Sequence, residues 1–143
     1  PTVAPQKTQD AQRPLLVLIV DDHPLNLKLL DKFLTRRGHG VVQATGGAEA
    51  VKLAEAQAFD LILMDIDMPE MDGHEACRLI RAGHGLSKSA YVCALSGLAD
   101  EQSVSKSLSF GMNKHMTKPL SFEALDEVLV FISLQNQPAD AGV

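Results

Sequence analysis

Residues 61–69, Leu-Ile-Leu-Met-Asp-Ile-Asp-Met-Pro, constrain this chain most. A short apolar run ends abruptly in a carboxylate, Asp65. A second acid, Asp67, follows two residues on, and Pro69 then stops regular structure. An apolar run bounded in this way predicts a strand buried on both faces of a parallel sheet. In open α/β sheets, ligands bind beyond the carboxyl ends of the strands. Asp65 is therefore expected at the rim of the sheet, where chemistry is placed.

The rest of the chain supplies neighbours for that strand. Residues 15–20 are an equally apolar run and end in Asp21-Asp22-His23-Pro24. Pro24 suits the first turn of a helix, where a missing N–H costs nothing. Leu25, Leu29, Leu30, Phe33 and Leu34 then form an apolar stripe at helical spacing, closed by Arg36-Arg37-Gly38. Residues 41–44 read as a short strand. Gly46-Gly47 opens a helix with Ala50, Val51, Ala54 and Ala58 on one face. After the strand at 61–65 and a loop to Gly73, residues 75–81 read as a helix with Ala76, Leu79 and Ile80 inward. Residues 90–96 are a fourth buried strand, ending in Ser96. Residues 100–110 read as a weak, Ser-rich helix anchored by Val104 and Leu108. Residues 114–117 are a short fifth strand running into Lys118-Pro119. Phe122, Leu125, Leu129 and Ile132 give the last helix its inward face. Residues 1–14 read as a linker or chain end and residues 135–143 as a frayed tail. Five strands alternating with five helices predict one α/β domain over residues 15–134, with right-handed crossovers and helices on both faces of a parallel sheet.

Composition narrows the function classes. A net charge of −5 argues against a nucleic-acid surface. No apolar run approaches the roughly 18–20 residues that span a membrane, and no signal pattern opens the chain. The two cysteines, Cys77 and Cys93, have no metal-type spacing and read as packing residues in a reduced, cytoplasmic setting. His23 reads as an exposed loop residue, and His39, His74 and His84 as surface residues. Met68 and Met71 read as ordinary loop apolars.

Polar chemistry gathers at the strand ends: Asp21 and Asp22, Asp65, Ser96 and Lys118. If those strands are neighbours, three carboxylates converge. Two charges 4 Å apart repel by about 4 kcal/mol at an effective dielectric near 20. A hard divalent cation such as Mg²⁺ offsets that repulsion and keeps sites open for water and phosphate oxygens. Lys118 suits a phosphate oxygen as a point charge, and Ser96 can donate one hydrogen bond to the same group. The chemistry implied is phosphoryl transfer onto a carboxylate, giving an aspartyl phosphate.

Asp21-Asp22, the 61–69 stretch followed by Met71-Asp72-Gly73, Ala94-Leu95-Ser96-Gly97, and Gly111-Met112 through Lys118-Pro119 together resemble the receiver domains of two-component response regulators. The resemblance implies a flavodoxin-like fold, a sheet in 2-1-3-4-5 order, and a cis bond before Pro119. It implies Asp65 as phosphoacceptor, with Mg²⁺ held by Asp22, Asp65 and the Asp67 carbonyl, and Asp21 acting through water. It implies Ser96 and Lys118 as the pair that senses the phosphoryl group. The donor it implies is a histidine kinase or a histidine phosphotransfer domain, and self-association is open to such domains. Asn26 resembles receivers fused to hybrid sensor histidine kinases, and the linker-like start agrees with such an origin. Where the family carries an aromatic switch residue three positions before the lysine, this chain has His115. An imidazole is smaller, polar and chargeable near neutral pH, so the coupling is expected to be weaker or pH-sensitive. Two other readings stand beside the receiver. One is a haloacid-dehalogenase-like phosphatase using Asp65 and Asp67, although Pro69 departs from that motif. The other is a receiver that binds partners without being phosphorylated.

Overall fold

The computed structural model describes residues 13–135. The strands are β1 (Leu16–Val20), β2 (Gly40–Ala44), β3 (Leu61–Asp65), β4 (Tyr91–Ser96) and β5 (Lys114–Thr117). The helices are α1 (Pro24–Arg36), α2 (Gly47–Ala56), α3 (Gly73–Ala82), α4 (Glu101–Ser109) and α5 (Phe122–Gln135). All strand pairs are parallel, in the order β2-β1-β3-β4-β5. The 2-1-3-4-5 order places β3 at the centre, between β1 and β4. The carboxyl ends of β1, β3, β4 and β5 thus share one rim.

Alternation along the strands divides the core in two. Val17, Ile19, Leu61, Leu63, Cys93 and Leu95 pack under α1 and α5, against Leu30, Phe33, Leu34, Leu125 and Leu129. Leu18, Val20, Ile62, Met64, Val92 and Ala94 face the other way, against Ala50, Ala54, Ala76, Cys77 and Ile80. The small residues on α2 and α3 let those helices lie close to the sheet and to each other.

Several expectations shift. On α1, Leu27 is buried with Leu30, Phe33 and Leu34, while Leu25 and Leu29 are 66% and 52% exposed. The helix docks through its 27-30-34 row, and the 25-29 row faces outward. Ala58 lies beyond α2 and is exposed. Leu108 on α4 is half exposed, and the fully buried residue of that helix is Ser107. Phe122 is partly exposed because it stacks on Phe33 at the protein's edge, with centroids 4.3 Å apart. Met68, in the loop after β3, is buried. His39 and His74 are buried, not surface residues, because each meets a specific hydrogen-bonding need. Leu15 immediately precedes β1, and its N–H donates to Nδ1 of His39 at 3.0 Å. The next amide, of Leu16, donates to Asp60 at 2.8 Å. Arg13, inside the expected linker, also bonds Asp60 through its guanidinium at 2.9 Å; residues 1–12 and 136–143 lie outside the described residues.

The start of α3 is tied to the strand end it follows. Asp72 caps it by accepting the Glu75 N–H at 2.9 Å. At Gly73, an added Cβ would lie 2.5 Å from the Asp65 carbonyl oxygen and 2.8 Å from Cα of Ile66. Both are backbone atoms that have nowhere to go, so only glycine lets α3 begin this close to β3. Replacing Gly73 by Ala is expected to destabilise the fold by about 1–3 kcal/mol, the usual range for overpacking, read as a lower urea midpoint. Burial pushes the His39 imidazole below its usual pKa, with the Arg37 charge adding to the effect. A base held neutral in the folded state leaves the unfolded chain binding more protons below about pH 6.5. The fold is therefore expected to keep its full stability above that pH and lose it on acidification. His39→Gln should flatten the dependence of melting temperature on pH between about pH 7.5 and about pH 5.5.

Candidate functional site: a carboxylate cluster at the strand ends

Each polar side chain expected at the rim is there, and the fold explains why. β3 delivers Asp65 with no side-chain exposure. Parallel pairing sets Val20 beside Met64 and Asp65 beside Leu95, so Asp21 and Ser96 each lie one step past their strand's partner to β3. Ser96 in turn pairs with Thr117, one residue before Lys118. The Lys118-Pro119 bond is cis.

The charges form one cluster. Ligand atoms of Asp21, Asp22, His23 and Asp65 all lie within 4.8 Å of one another. Lys118 Nζ is 3.0 Å from Oδ1 of Asp65, and the Asp67 N–H donates to that same oxygen at 2.9 Å. The other oxygen, Oδ2, is buried without a hydrogen-bond partner. Burial holds the Asp65 carboxyl above the usual carboxylate range, and Asp21 adds to this, while the Asp67 N–H and Lys118 pull it back. A buried carboxylate oxygen with no donor is costly. So is Oδ1 of Asp22, which also lacks a hydrogen bond and lies 3.1 Å from Nδ1 of His23. Two bare carboxylate oxygens on one rim are the donor set of a hard divalent cation. The acidic cluster fits Mg²⁺ on its own chemistry.

Asn26 has a physical role that its sequence reading did not include. Its amide donates to Oδ2 of Asp21 at 3.1 Å, and the His23 N–H donates to Oδ1 at 2.9 Å. Asp21 is thereby held in place while Asp22 stays half open to the rim. His23 is exposed, as expected, yet its Nδ1 lies 3.1 Å from Oδ1 of both Asp21 and Asp22. The Asp67 side chain is exposed, so its contribution to the site comes from its backbone. Ser96 is buried, and its oxygen accepts the Leu98 N–H at 3.0 Å. His115 does not stand free: its Nε2 lies 2.7 Å from the Leu98 carbonyl oxygen and its Nδ1 2.8 Å from Oγ of Ser107. His74 reaches the same hydroxyl at 3.0 Å. The two thiols take no part: burial pushes Cys93 up to about 12 and Cys77 upward as well, so both stay protonated packing groups.

Beside the acids lies an open groove of about 210 Å³, mostly apolar, between α1 and the loop after β5. Leu29, Leu30, Leu120 and Phe122 line it, with Asp21 and Lys118 at its polar end. No described helix is long and apolar enough to cross a membrane.

Comparison with known proteins places these features. Residues 17–130 match the model of the response regulator receiver domain. The sensor protein GacS of Pseudomonas syringae pv. syringae is 40% identical over 116 residues, which are 80% of this chain and 13% of that protein. The signal transduction histidine-protein kinase BarA of Escherichia coli K12 is 38% identical over 125 residues, 86% of this chain and 13% of its own length. The chain thus spans about an eighth of these curated relatives. Among solved structures, the receiver domain of the sensor histidine kinase PA1611 from Pseudomonas aeruginosa PAO1, with a magnesium ion in its active-site cleft, is 32% identical. Its TM-score is 0.74, over 82% of this chain and 95% of that one. The co-crystal structure of the yeast (Saccharomyces cerevisiae) phosphotransfer protein Ypd1 with the receiver domain of Ssk1 gives a TM-score of 0.82 at 26% identity, covering 91% of this chain and 96% of the matched one. Nothing in these matches supports a phosphatase of the haloacid-dehalogenase type. A carboxylate cluster at the carboxyl rim of a 2-1-3-4-5 sheet, a lysine reaching its central acid, and a family match over most of the described residues lead to one conclusion: the chain belongs to the response regulator receiver domain family.

Proposed function

We propose that residues 15–134 are a working phosphoacceptor receiver that takes a phosphoryl group from a phosphohistidine onto Asp65, within a hybrid sensor histidine kinase. The observation that carries this reading is the Asp65 carboxylate, fully buried, paired to Lys118 through one oxygen and bare at the other. A receiver that had lost its chemistry would have no reason to keep such a costly arrangement.

The step is an in-line displacement. A carboxylate oxygen of Asp65 attacks phosphorus, the phosphorus–nitrogen bond of the phosphohistidine breaks, and its electron pair stays on the imidazole nitrogen. The products are an aspartyl phosphate and a free imidazole on the donor. Mg²⁺, held by Asp22, Asp65 and the Asp67 carbonyl with Asp21 acting through water, would neutralise the acids and the phosphoryl oxygens. Lys118 supplies a fixed positive charge to an equatorial oxygen. Ser96 accepts one hydrogen bond and keeps its own O–H to donate. Asn26 and the His23 amide orient Asp21 throughout.

The donor must cover the rim to reach Asp65. The exposed Leu25 and Leu29 and the adjoining groove provide an apolar rim around the acids. An exposed apolar patch beside a reactive group suits a protein donor, and this face is the docking surface we assign to the phosphohistidine-bearing domain.

Incubation with acetyl phosphate and Mg²⁺, read by intact mass, is expected to add one phosphoryl group to the wild-type chain and none to Asp65→Asn. An unlabelled wild-type chain that binds Mg²⁺ and accepts nothing from any phosphotransfer domain would make it a receiver without phosphorylation. Leu25→Asp is expected to slow transfer from a phosphorylated phosphotransfer domain by about tenfold, a loss of about 1.4 kcal/mol. Labelling by acetyl phosphate, which needs no docking face, should be unchanged in the same variant.

A further inference from the structure

α4 is anchored in an unusual way. Its fully buried residue is Ser107, a hydroxyl, while Leu108 beside it is half exposed. A buried hydroxyl is costly unless its hydrogen bonds are made. Those of Ser107 are made twice, to Nε2 of His74 at 3.0 Å and to Nδ1 of His115 at 2.8 Å.

The far end of the chain of bonds sets its direction. Nε2 of His115 lies 2.7 Å from the Leu98 carbonyl oxygen. A carbonyl can only accept, so Nε2 carries the proton. A ring that carries its proton there alone offers a bare Nδ1, which receives the Ser107 O–H. Having donated its hydrogen, Ser107 accepts from Nε2–H of His74. With both rings neutral, only one order of donation satisfies every group: His74 to Ser107, Ser107 to His115, His115 to the Leu98 carbonyl. Both ends rest on the site. His74 follows Gly73, which packs against the Asp65 carbonyl. Leu98 donates its own N–H to Ser96 at 3.0 Å.

We propose that His74 and Ser107 are positioning residues. They hold the His115 ring in the tautomer and orientation that let it donate to Leu98, and thereby couple the segment after Ser96 to the start of α3 through α4 and β5. The role assigned to the coupling rests on the receiver reading, because the two segments it joins are those flanking Asp65 and Ser96. The bond chain itself needs no phosphoryl group. Movement of the Ser96 hydroxyl toward a bound oxyanion would carry Leu98 with it, and the strain would pass along the chain to a helix with little apolar anchorage.

The test is nitrogen-15 spectroscopy of the whole chain without any phosphoryl donor. Two reporters are read: the His115 ring nitrogens, and the Ala99 amide, whose peptide contains the Leu98 carbonyl. His74→Leu and Ser107→Ala are each expected to shift both reporters in the same direction, although His74 has no hydrogen bond to the 98–99 segment. His74→Gln, which keeps a donor, is expected to return both toward wild type. In a His115→Phe background, adding His74→Leu should leave Ala99 where His115→Phe alone puts it. Two results would overturn the proposal: reporters of folded Ser107→Ala and His74→Leu that coincide with wild type, or an Ala99 shift that persists without the His115 imidazole. Failure here leaves acetyl phosphate labelling of Asp65 untouched, and failure of labelling leaves these shifts as they stand.

Discussion

The contact between Lys118 and Asp65 is the interaction on which the rest of the structure depends. A carboxylate with no solvent exposure is tolerated only if protein groups replace the water it has lost. Lys118 and the Asp67 amide do this for one oxygen and leave the other bare. The parallel register brings Lys118 into reach, because β5 pairs with β4 and β4 with β3. Every strand between the two residues must therefore hold its alignment for the pair to exist. The two apolar layers on either side of the sheet supply that alignment.

The site is consequently strained by charge. Asp21, Asp22 and Asp65 are crowded together, and burial keeps the central carboxyl above its usual range. Acids crowded in this way gain by binding a divalent cation, which offsets their mutual repulsion. This is the physical sense in which the rim is poised for a metal ion: its crowded acids carry an electrostatic cost that a divalent cation relieves.

Polar order extends beyond the acids. Asn26 fixes Asp21, and His74, Ser107 and His115 form a continuous line from α3 to the segment after Ser96. An aromatic switch residue could move with little more than a change in packing. An imidazole held at both nitrogens moves only by exchanging hydrogen bonds. Directed bonds here stand where ring packing would, and they tie α4 to donors and acceptors on α3, β5 and the segment after Ser96.

Much of this was legible in the chain itself. The apolar runs at 15–20, 61–65 and 90–96, the first followed by two acids and the others ending in Asp65 and Ser96, predicted the buried strands because a parallel strand is apolar along its whole length and stops where the rim begins. The rim positions of the carboxylates and Ser96 followed from those same ends, and that of Lys118 from the end of the short strand at 114–117. Which helix face would be buried was not legible: Leu25, Leu27 and Leu29 are equally apolar, and only docking against the sheet chose Leu27. Nor could the sequence assign His39 and His74 to the interior. A histidine is buried or exposed according to whether the fold brings it a partner, and their partners, the Leu15 amide and Ser107, lie 24 and 33 residues away. Sequence determines which residues are able to be strands and which are able to react. Tertiary structure decides which polar groups meet, because hydrogen bonds and ion pairs act over a few ångströms of space, whatever the separation along the chain.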